Sequence, residues 1–479
     1  MKNIAILIWS LGGGGAEKVA GQLSIQLEKF YNVILMVLNP EINVYESGGK
    51  IISIAPTAGN TIEENILREK EKNKIDVAIS FLDDMNDLNI RTRRKELVII
   101  SQHSTLSAVP MFDMDRLSGK WKNYKFADYI VTVSEGIKYD LIHSLDMGEV
   151  PVSAIYNYAD TDIIRRKMEE SPESDIAEFI KDSKVILNVG RLAPQKNQIG
   201  LIDQFGKLAE KHREVKLVIV GSGELHEKIL EHIQERKLQD KVFLLPYCAN
   251  PFPYYKMADV FAFSSDFEGL GNVLLEAMAV GLPIVSTDCF AGPRELLDDE
   301  WQEYSCVREY KICKRGILVE KIQTDHDDYV KALERLLYDK KLRAEIAENE
   351  RIYMDEYSNE QKTRQWIDII ENACIRNTFV PSKASLEDIP DTNVIIYGAG
   401  KIGKDVYEQL WKHKNIIGFA VSDSDGNPGT INGIKVDVIE HYIEYTETAT
   451  VVLGLRDIFH EEIYRKLKEL GFQKIVRSF

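Results

Sequence analysis

Cysteine is scarce in this sequence, and its spacing does not fit a metal site or a disulfide framework. The 479-residue chain holds five cysteines, at positions 248, 289, 306, 313 and 374. Cys306 and Cys313 are too far apart for a CxxC pair, and no histidine cluster accompanies them. Scattered cysteines of this kind are typical of reduced thiols in a cytosolic protein. We therefore expect neither a zinc site nor a disulfide-stabilised fold.

Long apolar runs and an excess of positive charge are also missing. No stretch reaches the roughly 18 consecutive apolar residues of a transmembrane helix. The apolar start, MKNIAILIW, stops at glycines and lacks the cleavage site of a signal peptide. We expect a cytoplasmic protein that at most lies on the inner face of the cell membrane. The net charge of −16 argues against a nucleic-acid partner, because phosphate contacts need clustered Lys and Arg.

The sequence does contain a sustained alternation of strand-like and helix-like segments. This alternation, in a chain with 44% hydrophobic residues, predicts an α/β fold with parallel sheets. The blocks are predicted as an N-terminal domain over residues 1–160, completed by a return helix near 360–376, and a second domain over 161–359. A polar linker over 377–392 then leads to a small Rossmann-like domain over 393–479. Ligands of such sheets bind beyond the carboxyl ends of the strands.

The first glycine-rich loop, SLGGGGAEK at residues 10–18, follows a strand and opens a helix. Free N–H groups and the helix dipole favour an anion there. The loop is not a Walker motif, since no Gly-Lys-Ser/Thr follows, and no acid ends the next strand as a dinucleotide fingerprint requires. Ligand binding and a simple tight turn remain open.

Two further segments place charges beyond predicted strands. In NVGRLAPQKN, residues 188–197, Arg191 and Lys196 can bind a diphosphate, or can be ordinary solvated cations. In FEGLGNVLLE, residues 267–276, Glu268 precedes a glycine turn and Glu276 lies in the following helix. The two acids can each bind one sugar of a ligand that has sugars on both sides of a diphosphate. Alternatively, they are acids that the helix dipole favours.

Taken in order, these segments resemble the family 4 glycosyltransferases, retaining enzymes of the two-domain GT-B fold. The resemblance covers roughly residues 1–375 and is carried by GGGGAEK, VTVSEG, IYNYAD, NVGRLAPQKN, FLLPYCANPFPYYKMAD, FSSDFEGLGNVLLEAMAVGLPIVSTDCFAGPREL and GILV. Leu270 departs from the family pattern, which commonly has an aromatic residue there. Asn272 begins an NVLLE form that occurs in one branch.

The resemblance implies roles for individual residues. His103 reaches the donor sugar, Arg191 and Lys196 bind the diphosphate, and Glu268 faces the transferred sugar; these four are the predicted catalytic residues. Without the resemblance, a lone histidine at a strand end is more often structural. The predicted donor-binding residues are Gly14, Gly15, Tyr247, Cys248, Gly269, Leu270, Gly271, Asn272 and Glu276. Among them Glu276 binds the ribose hydroxyls, and residues 246–248 suggest uracil as the base.

The implied reaction is retaining transfer of a hexose or N-acetylhexosamine from a UDP-sugar. The acceptor is a saccharide or lipid-linked saccharide in cell-surface polysaccharide or glycoconjugate assembly. The departing phosphate accepts the proton of the acceptor hydroxyl, and the protein supplies positioning and positive charge. No metal or other cofactor is expected. The Asp-X-Asp strings at 113–115, 160–162 and 423–425 are interpreted as solvated loop acids.

A basic segment, residues 91–125, stands out in an otherwise acidic chain. Eight basic residues face three acidic ones there, a net charge of +5. Together with nearby Met111, Phe112, Trp121 and Tyr124, this segment can dock on anionic lipid, or can be a solvated basic face.

The C-terminal block carries its own glycine fingerprint in VIIYGAGKIG. Gly398, Gly400 and Gly403 follow a strand, and Asp423 ends the next strand at the spacing of a ribose-binding acid. The block resembles the small nucleotide-binding domain at the front of sugar acetyltransferases. We interpret it as a docking, oligomerisation or regulatory module, and these four residues are its candidate nucleotide-binding residues.

Three other functions stay open at this stage. The first is a GT-B epimerase or phosphorylase, and the second is an NAD-dependent oxidoreductase built on the C-terminal fingerprint. The third is a non-catalytic subunit that presents an active transferase. Retention of all the charged motif residues argues against the third.

Overall fold

The computed structural model describes residues 1–57, 59–108, 121–147, 150–172, 176–300, 307–322, 326–379, 389, 392–423, 427–455 and 460–477. The chain divides into two compact units. The larger comprises Met1–Tyr124, Ile130–Met147 and Val152–Trp366, and the smaller comprises Lys125–Tyr129, Gly148–Pro151 and Ile367–Phe479.

The first sheet has seven strands in the order β3-β2-β1-β4-β5-β6-β7. They are β1 Asn3–Ile8, β2 Asn32–Val37, β3 Lys50–Ser53, β4 Val77–Phe81, β5 Leu97–Gln102, β6 Tyr129–Thr132 and β7 Val152–Ala154. Its helices are α1 Gly15–Leu27, α2 Ile62–Lys72, α3 Asp83–Arg91 and α4 Glu135–Tyr139. Strand β4, VAISF, is buried at every position, as expected for a parallel strand covered on both faces. A capping box formed by Thr61 and Glu64 begins α2.

The second sheet has the order β10-β9-β8-β11-β12-β14-β13, in which β13 runs antiparallel to β14. Its strands are β8 Lys184–Val189, β9 Val215–Val220, β10 Val242–Leu245, β11 Val260–Phe263, β12 Ile284–Thr287, β13 Tyr310–Cys313 and β14 Gly316–Val319. The helices are α5 Thr161–Lys167, α6 Ile176–Phe179, α7 Gln198–Lys211, α8 His226–Glu235, α9 Phe252–Met257, α10 Asn272–Val280, α11 Pro293–Leu297, α12 Asp328–Tyr338, α13 Lys340–Glu356 and α14 Asn359–Phe379.

Helix α7 shows how the sequence builds this second layer. Leu201, Phe205 and Leu208 recur at helical spacing, so they share one face and enter the same core as Ile186 of β8 and Leu217 of β9. Each such side chain contributes roughly 1.5–3 kcal/mol when it is fully buried. The packing fixes α7 against the sheet and leaves the loop before it at the carboxyl edge of β8.

The smaller unit contains a third sheet, in the order β17-β18-β16-β15-β19-β20. Its strands are β15 Asn393–Tyr397, β16 Asn415–Val421, β17 Thr430–Ile431, β18 Ile434–Val438, β19 Ala449–Leu453 and β20 Lys474–Arg477. Helices α15 Lys401–Leu410 and α16 His460–Glu469 accompany it. The predicted linker falls largely outside the described residues. The predicted α/β class with parallel sheets is confirmed, and no described helix has the length and apolar character needed to span a bilayer.

Candidate active site

A cleft lies between the two sheets of the larger unit, where loops beyond the carboxyl ends of their strands meet. Thr105 Oγ1 donates a hydrogen bond to the carbonyl of Glu268 at 3.1 Å. Asn272 Nδ2 donates to the carbonyl of Gly15 at 3.3 Å. These contacts bring the glycine loop and the loop after β5 against the loop that precedes α10.

The glycine loop is shaped for a close approach to that second loop. Gly13 has φ +97°, a conformation that favours glycine, and Gly14 is the extended residue before α1. A methyl group at Gly15 would lie 2.8 Å from Asn272 Nδ2. Gly15 therefore lies against Asn272, and the donor-binding role of Gly14 and Gly15 stays a prediction.

Glu276 lies on α10 with both carboxylate oxygens occupied. Its Oε1 accepts a hydrogen bond from Lys18 Nζ at 2.7 Å, and its Oε2 accepts one from the Tyr255 hydroxyl at 3.0 Å. Tyr255 is buried and stacks on Phe261 with ring centroids 5.4 Å apart. Sequence reasoning missed both Lys18 and Tyr255. Lys18 had one available signal, its position one turn into the helix that the glycine loop opens.

Glu268, in the loop after β11, and Lys196, in the turn after β8, form an ion pair. Lys196 ends a 3₁₀ turn, Pro194–Lys196, and its carbonyl accepts a hydrogen bond from Ser264 Oγ at 2.7 Å. Gln195 Nε2 donates to the carbonyl of Phe267 at 2.8 Å. The turn is thus tied to the loop that carries Glu268. The two residues were assigned to different parts of the donor, whereas here they contact each other.

Arg191 and Tyr247 lie near acidic and aromatic groups of the first sheet's loops. The Arg191 side chain is exposed, and its charge opposes the effect of burial, which raises the pKa of the Glu17 carboxyl. The pKa of Tyr45 is also raised, mainly by burial and then by the nearby Tyr247, Glu17 and Glu276. Tyr247 is 52% exposed. Glu17 and Tyr45 are therefore further cleft residues that the motif analysis did not name.

His103 follows β5, with its ring against the first sheet. The ring centroid lies 5.3 Å from that of Phe81, and Nε2 is 3.0 Å from Ser101 Oγ. Desolvation lowers the pKa of His103 to about 3. The imidazole is therefore neutral at physiological pH, and can exchange hydrogen bonds without adding charge.

The glycine turn between the two glutamates has a backbone conformation and packing that restrict side chains. Gly271 has φ +85° and is the residue just before α10, so a side chain there would be strained. Leu270 is buried, and its carbonyl and Cα lie where a methyl group on Gly292 would fall. Leu270 therefore packs against Gly292, the residue just before α11. Cys248 is half-buried beside Tyr247, whose backbone N–H donates to Ser222 Oγ at 2.8 Å.

Asn157 and Glu295, which the sequence analysis did not predict, also connect segments of the first and second sheets. Asn157 Nδ2 donates to Asn272 Oδ1 at 2.6 Å. Glu295, on α11, accepts hydrogen bonds from the backbone N–H groups of Glu135 and Gly136 at 2.8 and 2.9 Å, and from the Tyr156 hydroxyl at 2.9 Å. Burial raises the pKa of Glu295, and these donors oppose that effect. No sequence motif marks such a contact, since its partners are about 140 to 160 positions away.

Of the predicted Asp-X-Asp strings, Asp160 caps α5 by accepting from the N–H of Ile163 at 2.9 Å. The string at 113–115 and Asp425 lie outside the described residues. Within the described part of the chain, no group of three or more His, Cys, Asp or Glu side chains is placed to hold a metal.

The basic segment is only partly described, because residues 109–120 fall outside. Arg91 is neutralised by Glu63 and Asp87, at 2.7 and 2.8 Å. Arg94, Lys95 and Lys122 are exposed. Membrane contact by this segment stays a prediction.

In the smaller unit, the three glycines of the fingerprint have different environments. Gly398 has φ +119°, and a methyl group on Gly403 would lie 2.9 Å from the Gly398 carbonyl carbon. Gly400 has open space around it. Asp423 is exposed just beyond β16. A tight turn, a close helix–strand contact and an open backbone position are the three uses of glycine in dinucleotide-binding loops.

Comparison with known proteins identifies the larger unit. Residues 170–353 match the family model described as "Glycosyl transferases group 1". The N-acetylgalactosamine-N,N'-diacetylbacillosaminyl-diphospho-undecaprenol 4-alpha-N-acetylgalactosaminyltransferase of Campylobacter jejuni is 32% identical over 383 residues, covering 76% of this chain and 95% of that protein. The chain belongs to this glycosyltransferase family.

Two further comparisons extend this assignment. An uncharacterized glycosyltransferase of Haemophilus influenzae is 25% identical over 391 residues, 77% of this chain and 100% of that protein. The crystal structure of Anabaena Alr3699/HepE in complex with UDP-glucose aligns with a TM-score of 0.62 and 16% identity, over 78% of this chain and 100% of that chain. This structural likeness shows the fold, and the GT-B fold predicted for the glycosyltransferase is confirmed.

Proposed function

We propose that this glycosyltransferase is a retaining, family 4 enzyme that transfers a hexose or N-acetylhexosamine from a UDP-sugar. The observation that carries the proposal is that Lys196 pairs with Glu268 in the loops of the second sheet, while Glu276 and Asn272 from the helix after that loop contact Lys18 and Gly15 of α1. The acceptor is a saccharide or lipid-linked saccharide in cell-surface polysaccharide or glycoconjugate assembly. The diphospho-undecaprenol acceptor in the name of the Campylobacter relative supports this class.

The charges of the cleft match the successive parts of such a donor. Glu276 accepts hydrogen bonds from the ribose hydroxyls through Oε1, because Tyr255 holds Oε2. Arg191 and Lys196 provide two cations for the diphosphate, and the positive end of the α1 dipole lies at Gly14. The structures of Anabaena Alr3699/HepE with UDP and with UDP-glucose support a nucleotide-sugar donor in this fold.

The chemistry follows from where charge develops. As the bond from the sugar to the diphosphate breaks, negative charge grows on the phosphate, and cations already in position stabilise that state. Lys196 can bridge Glu268 and the phosphate, because an ammonium group has three donors. The leaving phosphate accepts the proton of the acceptor hydroxyl on the same face of the sugar. With these cations in place, we propose that transfer requires no metal.

An epimerase and a transferase differ in what they do without an acceptor. We expect a screen of UDP-sugars to show slow UDP release for one donor, and formation of a new UDP-sugar would instead indicate an epimerase.

We further propose that the enzyme lies at the inner face of the cell membrane, through the exposed cations of the basic segment.

Replacing Glu276 with alanine tests the donor site. We expect UDP affinity to fall about 10- to 100-fold, because a hydrogen bond to a charged group contributes roughly 1.5–3 kcal/mol. Isothermal titration calorimetry measures it, with Glu231→Ala on the exposed face of α8 as the matched control. Wild-type UDP affinity in Glu276→Ala would place the donor elsewhere.

We also propose that the smaller unit binds a nucleotide. The observation that favours this second role is the environment of the glycines: a tight turn at Gly398, a close contact between Gly403 and Gly398, and open space at Gly400. Asp423 then binds the ribose. This role fits a regulatory or docking module, and also the alternative of an NAD-dependent oxidoreductase.

Fluorescence titration with NADH and with UDP-sugars tests the smaller unit. We expect saturable binding of one of these ligands, and at least a tenfold loss of affinity in Asp423→Ala, since a ribose contact to a carboxylate is a charged hydrogen bond. Asp405→Ala, an exposed carboxylate on α15, serves as the control. Identical titrations for both variants and the wild type would remove Asp423 from the site, and tight NADH binding would favour the oxidoreductase.

A further inference from the structure

Lys18 connects the two walls of the cleft through a contact that the family motifs do not describe. It lies on α1, on the side of the first sheet, and its ammonium is 2.7 Å from Glu276 Oε1 on α10. The Lys18 side chain is 33% exposed, whereas that of Glu276 is 11% exposed. The lysine is therefore the more exposed partner of the pair.

The two oxygens of Glu276 are not equivalent. Oε2 is held by Tyr255, a buried residue fixed by stacking on Phe261, so this contact stays when a ligand enters. Oε1 is held by Lys18, a flexible four-carbon side chain that carries a point charge. A ribose that donates hydrogen bonds to Glu276 must therefore displace Lys18 or share Oε1 with it.

A displaced Lys18 ammonium has a second anion within reach. Lys18 is three residues beyond Gly15, about one helical turn or 4.5 Å along the axis of α1. The proposed function places the donor's diphosphate at the N-terminus of that helix. Separating a partly buried cation from its carboxylate is costly unless another anion replaces it.

We propose that Lys18 is a transferable cation, which holds Glu276 in the free protein and moves to the diphosphate of the donor when the nucleotide enters. This inference rests on the proposed function and adds a third cation to the diphosphate site, supplied by the opposite wall. Donor binding then exchanges one cross-cleft ion pair for another. The carboxylate becomes available to ribose in the same step that brings the two walls onto the phosphates.

If Lys18 were only a fixed bridge to Glu276, its removal would leave the ratio of UDP to uridine affinity unchanged. Comparing UDP, which carries the diphosphate, with uridine, which has no phosphate, therefore distinguishes a fixed bridge from a transferable cation. We expect Lys18→Met to weaken UDP binding about tenfold, because the variant lacks the phosphate contact. Uridine affinity should stay equal or rise up to about threefold, because Glu276 no longer has a competing partner. Displacement calorimetry measures both ligands on the same sample, so the ratio of affinities is independent of the fraction folded. Lys18→Arg should retain the wild-type ratio.

Lys29→Met is the matched control, since Lys29 lies just beyond the same helix and its ammonium contacts only Gln26 among the described hydrogen bonds. An unchanged ratio of UDP to uridine affinity in Lys18→Met would overturn the proposal, whether both affinities fall together or neither changes. Failure of the proposed function has a separate signature, which is wild-type UDP affinity in Glu276→Ala. A structure of the UDP complex with Lys18 still on Glu276 would also overturn the transfer.

Discussion

Replacing Glu268 with glutamine is expected to lower turnover about 1,000-fold while UDP affinity changes less than about fivefold. Removing one group that stabilises the transition state commonly costs 10²- to 10³-fold in turnover. Glutamine preserves the size of the side chain and leaves the backbone contact from Thr105 to the Glu268 carbonyl in place. The substitution also frees Lys196 from its anionic partner. Lys196 therefore keeps or increases its attraction for the diphosphate, and UDP binding survives.

Steady-state turnover with the preferred UDP-sugar, together with calorimetry of UDP, measures the two effects separately. Glu210→Gln on the exposed face of α7 controls for a glutamate lost from the same domain. If the Glu268 variant turned over at the wild-type rate, Glu268 would not face the transferred sugar. A parallel loss of UDP affinity would instead assign Glu268 to the nucleotide pocket.

Replacing Gly269 with alanine is the second change with a large expected effect. A methyl group at Gly269 would fall against the carbonyl of His103, 2.8 Å from its carbon, and 3.2 Å from Ile137 Cδ1. A carbonyl is backbone and cannot rotate away, so the loop after β5 and the loop before α10 must separate. A displacement of about 1 Å at an active site can cost 10²-fold in rate. We expect turnover to fall at least 100-fold and the thermal unfolding midpoint to drop.

Gly206→Ala provides a matched control for this experiment. Gly206 lies inside α7, where the nearest atom to an added methyl group is Leu238 Cδ1 at 3.5 Å, an ordinary contact. This variant should unfold at an equal or higher temperature, since alanine reduces the entropy of the unfolded chain and stabilises a helix by about 0.4–1 kcal/mol. Normal turnover in Gly269→Ala would show that the contact between the two loops is not needed for catalysis.

The sequence by itself determined the layers and the positions of the motifs. Apolar runs such as VAISF in β4 and the 3.6-residue spacing in α7 are local signals, so strands and helices could be read in order. The glutamates of FEGLGNVLLE were also assigned correctly to a loop and the helix after it. Local patterns sufficed because hydrophobic periodicity follows directly from which face of an element is buried.

Only the tertiary structure decided which charges meet. Lys196 pairs with Glu268 across 72 positions, and Lys18 pairs with Glu276 across 258. The position of Lys18 one turn into α1 is the one local signal, and it does not identify Glu276 as the partner, because that partner is supplied by another sheet. Glu295 likewise owes its role to two helix N–H groups about 160 positions away. Which charges form a pair depends on their distance in space and on their burial. Neither quantity can be read from the order of the residues alone.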